Sequence, residues 1–233
     1  MRKLIVFLTC VTSLVQAYGQ SLDFAIISDK DGFVHVRNSK ELSDINIIDK
    51  LQNGFVINYL ERDGYWINIR YEKDGKEFSG FIFKDRLKDI NSFAELQGRS
   101  ITPNEFKISS KNIEIVLSDK NFIASEHLIV NQKNQKSLIE LIDGKEIFGT
   151  DGNLPKREYK AVEVKINGIK VLLPKETLQN LFEPTIEYTV ANYDDKSQTL
   201  YIRCDNSDGS ASYAVIWVIE KGKFKQRCIG VAM

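Results

Sequence analysis

Gly64-Tyr65-Trp66-Ile67-Asn68-Ile69, answered downstream by Gly80-Phe81-Ile82-Phe83, is the stretch that decides the fold. Successive side chains of an extended strand point to opposite faces. Ile67 and Ile69 therefore share one face, while Trp66 and Asn68 share the other. Working outward, the same pattern recurs at Phe33–Arg37 (with Val34 and Val36 in alternation), Asp49–Leu51 and Phe55–Leu60. Gly, Asp and Asn turns separate these runs at intervals of roughly 8–12 residues, which predicts a small all-β barrel or sandwich over residues 24–90 and not a βαβ unit.

The remainder reads as β too. Ile113–Leu117, His127–Val130, Leu138–Ile142, Glu146–Gly149, Ala161–Ile166, Ile169–Leu173 and Tyr188–Ala191 are β-branched or alternating. Asp143-Gly144 and Asn167-Gly168 are two-residue hairpin signals. A closing meander runs through Thr199–Cys204, Tyr213–Ile219 and Lys223–Gly230, with turns at Gly209 and Gly222. Its middle strand is apolar on both faces, which requires cover on both sides. One short helix is expected where Pro174 or Lys175 opens a segment with Leu178, Leu181 and Phe182 on one face and Pro184 ends it. The expectation is an all-β chain: a small SH3-like barrel, a polar connector at 91–98 with a helical turn through Phe93-Ala94-Glu95-Leu96, and a second antiparallel β-rich domain at 99–233, a sandwich or open barrel.

The N-terminus reads as a cleavable export signal over residues 1–19. Arg2 and Lys3 precede an apolar run from Leu4 to Val15, too short to span a bilayer. Small residues at Val15-Gln16-Ala17 and Ala17-Tyr18-Gly19 place the mature start at Tyr18 or Gln20. Cys10 lacks the small residue expected before a lipidated cysteine. The 233 residues carry 32 basic and 32 acidic side chains. Without the two basic residues of the signal, thirty face thirty-two, a formal −2. The charges are interspersed, so a nucleic-acid partner has no electrostatic support. No second apolar stretch reaches membrane length. The reading is a monomer of the periplasm or the outside of the cell. An oxidising compartment permits a disulfide between Cys204 and Cys228. In the meander, however, they flank the middle strand about 9.5 Å apart, beyond the roughly 7 Å limit for a bridge. Two buried free thiols are expected.

Two resemblances add to this reading. Asp31-Gly32-Phe33-Val34-His35-Val36-Arg37, Leu51-Gln52-Asn53-Gly54, Gly64-Tyr65-Trp66 and Gly80-Phe81-Ile82-Phe83 with Leu87 resemble, in order, the landmarks of a bacterial SH3 (SH3b) domain. His35 stands where such domains usually carry Asn, and Phe81 where they carry Trp. The resemblance implies a small barrel that contacts cell-wall peptidoglycan, a glycan or a peptide. Ile142–Lys156 with its Gly149-Thr150-Asp151-Gly152 loop, followed by Leu173-Pro174-Lys175 and Leu181-Phe182-Glu183-Pro184, is similar to an uncharacterised β-rich domain of secreted, Bacteroidetes-like bacterial proteins; that likeness implies export and no activity.

No catalytic constellation is visible. A papain-like peptidase needs a helical Cys ahead of its His, whereas His127 precedes Cys204, which lies in a strand. Two histidines without paired cysteines do not build a usual zinc site. No metal or cofactor is expected. Asp205-Asn206-Ser207-Asp208-Gly209 lacks the closing Glu of a calcium loop, a position held by Ile216. Candidate binding residues are Trp66 and Phe81, for which core packing is favoured over ligand contact, Arg37, which projects outward or anchors a turn carbonyl, and Asp151 with Lys156. Three functions follow: a non-catalytic binding protein, a secreted protein–protein inhibitor or immunity-type protein, and a wall hydrolase using carboxylates such as Asp143 and Asp151.

Overall fold

The decisive hairpin forms as its alternation requires. In the computed structural model, which describes residues 23–59, 64–73 and 76–231, Trp66–Lys73 pairs antiparallel with Lys76–Phe83, Trp66 opposite Phe83 and Asn68 opposite Phe81. Ile67, Ile69, Tyr71 and Ile82 turn inward and are almost fully buried. The expected signal segment, residues 1–19, lies outside the described residues.

Seven strands make the N-terminal unit: β1 (Asp23–Ile27), β2 (Phe33–Arg37), β3 (Ile47–Gln52), β4 (Val56–Tyr59), β5 (Trp66–Lys73), β6 (Lys76–Phe83) and β7 (Leu87–Asp89). They form one sheet in the order β3-β2-β6-β5-β4-β1-β7. Its inner face gathers Ala25, Ile27, Val36, Leu51, Ile57 and Ile69 into a single core. The sheet is open, with β3 and β7 as its two edges, so the barrel expected from the sequence is not closed.

The C-terminal unit contains β8 (Ala94–Leu96), β9 (Gly98–Thr102), β10 (Glu105–Ser109), β11 (Ile113–Asn121), β12 (Ile129–Asn131), β13 (Ile139–Ile142), β14 (Lys145–Glu146), β15 (Arg157–Ile166), β16 (Ile169–Val171), β17 (Thr189–Asp194), β18 (Thr199–Asn206), β19 (Tyr213–Glu220) and β20 (Lys223–Val231). Two five-stranded sheets, β16-β15-β11-β10-β9 and β20-β19-β18-β17-β8, face each other across one large core. This is the sandwich option. A third sheet, β12-β13-β14, covers one end through Ile139 and Ile142, packed on Phe182. Both hairpin signals form left-handed turns, with φ of 53° and 76° at Asp143-Gly144 and 52° and 77° at Asn167-Gly168.

Local propensity is overridden at two places. Ala94–Leu96, expected as a helical turn, is a strand paired with β17; the open edge of that sheet outweighs the weak preference of three residues. The helix expected after Pro174 is a single 3-10 turn, Lys175–Thr177. Asn180 then adopts φ 61°, and Leu181 and Phe182 leave to bridge Phe148 and Glu158. Among the described residues helical structure is confined to 3-10 turns of three residues, and no helix is long and apolar enough to cross a membrane.

The two-faced middle strand explains how the units join. On β19, Tyr213, Val215, Trp217 and Ile219 enter the sandwich core. Ala214, Ile216 and Val218 point the other way, into a cluster with Phe24, Ile26, Val56 and Ile90 of the N-terminal unit. The Gln226 amide reinforces this seam by donating to the Val56 carbonyl at 3.1 Å and accepting the Val56 N–H at 3.3 Å. At Gly230 a Cβ would lie 2.7 Å from Asn58 Nδ2, so only glycine permits that approach. Cys204 and Cys228 are free and buried. Cys204 is opposite Val215 and Cys228 opposite Ile216; they project from opposite faces of one sheet, which rules out a bridge more firmly than strand spacing does.

Candidate functional site

The first candidate is a cleft of about 230 Å³ on the N-terminal unit. Because Trp66 begins β5 and Phe83 ends β6, the register puts their rings side by side, 4.0 Å apart and 25° from parallel. Phe33 and His35, two residues apart on β2, share a face with ring centroids 5.3 Å apart. Lys50 Nζ lies 3.5 Å from the Phe33 ring centroid, a cation–π contact. Trp66 is half-buried and stands outside the inner core cluster, so the core-packing expectation does not describe it.

Arg37 takes the anchoring role. Its guanidinium donates to the Ser43 carbonyl and, at 2.7 Å, to Asn46 Oδ1. Asn46 Nδ2 donates in turn to Ser39 Oγ and the Glu41 carbonyl. This network fixes the loop 38–46, which brings Leu42, 73% exposed, to the rim of the cleft. On the other side Arg86 pairs with Asp29. The Arg86 guanidinium and the Asp31 N–H hold the Asp29 carboxyl below the usual carboxylate range, against the opposing effect of burial. Phe81 is half-buried on β6 with Lys40 Nζ 5.4 Å from its ring, and it does not line the cleft.

The second candidate is a wider cleft of about 600 Å³ on the C-terminal unit. Both loops that stood out in the sequence meet there. Ser207 Oγ donates to the Gly149 carbonyl at 2.9 Å, and Ser210 Oγ to Asp151 Oδ2 at 2.9 Å. A third segment joins them: the Lys156 N–H donates to Glu183 Oε1 at 2.5 Å. Gly149 has φ 98°, and a Cβ there would lie 2.1 Å from the Phe182 carbonyl oxygen, so glycine is required. Glu183 and Ser207 are themselves left-handed, at φ 48° and 58°, conformations that cost non-glycine residues of order 1 kcal/mol or more.

Of the five candidates, then, Trp66 and Arg37 meet in one cleft, Asp151 and Lys156 in the other, and Phe81 in neither. The two clefts share no lining residue. Sequence reasoning passed over Phe33 and Phe83, although both lie in the quoted motif and period-2 counting puts them on the Trp66 side. It also passed over Tyr188 and Glu183, whose approach to residues 149–156 depends on long-range packing that no local signal carries.

Cys204 and Cys228 line neither cleft. Burial pushes the thiols of Cys204 and Cys228 up to about 12. His127 lines neither cleft. Its Nδ1 lies 2.8 Å from Asp143 Oδ2, its Nε2 3.4 Å from Glu158 Oε2, and its ring stacks on Phe122 at 4.5 Å. That places Asp143 at the β13–β14 turn beside His127, and it lines neither cleft. Among the described residues no cluster of three or more His, Cys, Asp or Glu side chains is arranged to hold a metal ion. No family model, curated protein or solved structure matches the chain.

Proposed function

We propose that this chain is an exported, non-catalytic binding protein whose N-terminal unit, the part resembling SH3b domains, contacts cell-wall peptidoglycan, a glycan or a peptide. The observation that carries this reading is the preformed aromatic cleft: the Trp66–Phe83 stack and the Phe33–His35 pair, bordered by a loop that Arg37 holds in place. Stacked rings at a surface offer apolar area that folding alone has not used. At about 230 Å³ the cleft is smaller than the roughly 300 Å³ at which drug-sized pockets begin. It suits a short segment of a longer chain.

Purified sacculi test the proposal. The full chain should be retained, and Trp66→Ala and Phe83→Ala should abolish retention without loss of fold. Retention no greater than that of a scrambled-sequence control removes the cell-wall reading. A second reading, the protein–protein inhibitor or immunity-type protein, is favoured by the exposed Leu42 on the cleft wall and by the exposed Ile45 and Ile48. It predicts a crosslinked protein partner from periplasm or medium that Leu42→Asp and Ile45→Asp remove, with sacculus binding absent.

A further inference from the structure

We infer that the 600 Å³ cleft of the C-terminal unit is a second binding site, and that its ligand is a neutral or amino sugar ring presenting adjacent hydroxyl groups. The cleft lies within the roughly 300–1,000 Å³ range of small-ligand sites. It combines two kinds of surface. Tyr188 and Leu154 line it and remain 63% and 53% exposed. Around them stand the carboxylates of Asp151 and Asp208. A sugar ring has the matching chemistry: a C–H face that packs on an aromatic ring, and hydroxyls that donate to carboxylates.

Charge narrows the class. Asp151, Asp208 and Glu183 outnumber Lys156 on the walls, so phosphates and acidic sugars are repelled and neutral or amino sugars are admitted.

The site is also rigid before any ligand arrives. Tyr188 ends a 3-10 turn whose Ile186 is buried in the sandwich core. Asn206, 1% exposed, accepts hydrogen bonds from Tyr159 Oη at 2.8 Å and from the Thr185 N–H at 3.1 Å. This fixes the wall that carries Tyr188 relative to the one that carries Ser207. Preorganisation of this kind lowers the cost of binding.

This inference concerns a cleft other than the one in the proposed function, and the test keeps the two apart. The full chain is applied to an array of immobilised neutral, amino and acidic oligosaccharides, alongside Tyr188→Ala, Asp208→Ala and Trp66→Ala. Neutral or amino members should retain the protein, and Tyr188→Ala should weaken retention about tenfold. Asp208→Ala should weaken it too while leaving Tm unchanged, since the carboxylate it removes lines the cleft and makes no cap hydrogen bond in the protein. Trp66→Ala should have no effect on the array. The inference is overturned if no sugar is retained, if only acidic members are, or if Tyr188→Ala and Asp208→Ala bind as the unaltered chain does. Retention lost with Trp66→Ala alone would place the sugar in the N-terminal cleft and overturn it equally.

Discussion

Ile216→Ala tests whether the two units behave as one folded body. Ile216 is fully buried on the β19 face that meets Phe24, Ile26, Val56 and Ile90 of the N-terminal unit. Truncating a buried isoleucine to alanine costs about 2–5 kcal/mol, from lost transfer energy and the cavity left behind. For a cooperative unit of this size, each kcal/mol moves Tm by about 2–4 °C, so a fall of about 4–20 °C is expected. Ile115, equally buried but inside the sandwich core, provides the control: Ile115→Ala should act over the same range. Scanning calorimetry is the assay. If the seam joins the units cooperatively, each variant shows one transition, shifted as a whole. Two resolved transitions for Ile216→Ala, or a shift below about 1 °C, would refute the argument that this seam is a shared core. Ile216→Asp sharpens the contrast, because an unpaired buried charge cannot be accommodated by relaxation.

The remaining predictions concern the loop, the acid limb and the thiols. Arg37→Ala should free the loop 38–46 and destabilise the N-terminal unit by about 2–4 kcal/mol, since hydrogen bonds to a charged group are worth about 1.5–3 kcal/mol each; hydrogen exchange over residues 38–46 should accelerate, Arg37→Lys should not restore protection because an ammonium lacks the guanidinium fork, and unchanged exchange would contradict the anchoring role. At Asp49 burial pushes the carboxyl up, but hydrogen bonds from Lys73, the Lys50 N–H and Tyr71 outweigh it, so the carboxyl lies below its ordinary value, as does that of Asp29 beside Arg86. Depressed carboxyls contribute stability that is present above the unfolded value of about 3.9 and lost as pH falls through the folded one; Tm should therefore hold down to about pH 4 and drop below it, and Asp49→Asn should flatten that limb. Cys204 and Cys228, with both thiols pushed up to about 12, should resist alkylation in the native state and both react in denaturant; a disulfide in protein recovered from an oxidising compartment would overturn their placement on opposite faces.

Much of the fold was legible because it rests on period-2 patterning, which survives in sequence wherever one strand face is buried. Val34/Val36, Ile67/Ile69 and the two-sided run Tyr213–Ile219 all declare themselves in this way. The hairpins at Asp143-Gly144 and Asn167-Gly168 were legible because left-handed turns restrict residue choice. The short pieces were not: Ala94–Leu96 is a strand only because β17 offers an edge, and Asn180 stops the helix after Pro174 through a backbone conformation its neighbours do not announce. The sites divide on the same line. The loop Gly149–Gly152 stood out through its glycines, and Gly149 is indeed fixed by contact with Phe182. Tyr188 was hidden, since its place beside that loop depends on Ile186 packing into a core assembled from strands far away in sequence.

The seam also bears on how the N-terminal unit works. Residues 24–90 patterned like a free-standing module, yet Phe24, Ile26, Val56 and Ile90 are buried in one cluster with residues of β18, β19 and β20. Cut away at the 91–98 segment, the unit would expose these side chains together, on a sheet whose β3 and β7 edges are already open. Contiguous apolar surface beside unpaired strand edges drives self-association. Residues 20–92 expressed alone should therefore elute from a sizing column as oligomers or aggregate, whereas the intact chain should not; a soluble monomeric fragment with native-like spectra would show the seam to be dispensable. The same packing holds the aromatic cleft and the Tyr188 cleft at a fixed separation. Two ligand groups on one polymer would then be bound with an effective-concentration gain only when their spacing matches that separation, so the seam would select the spacing while each cleft selects the chemistry.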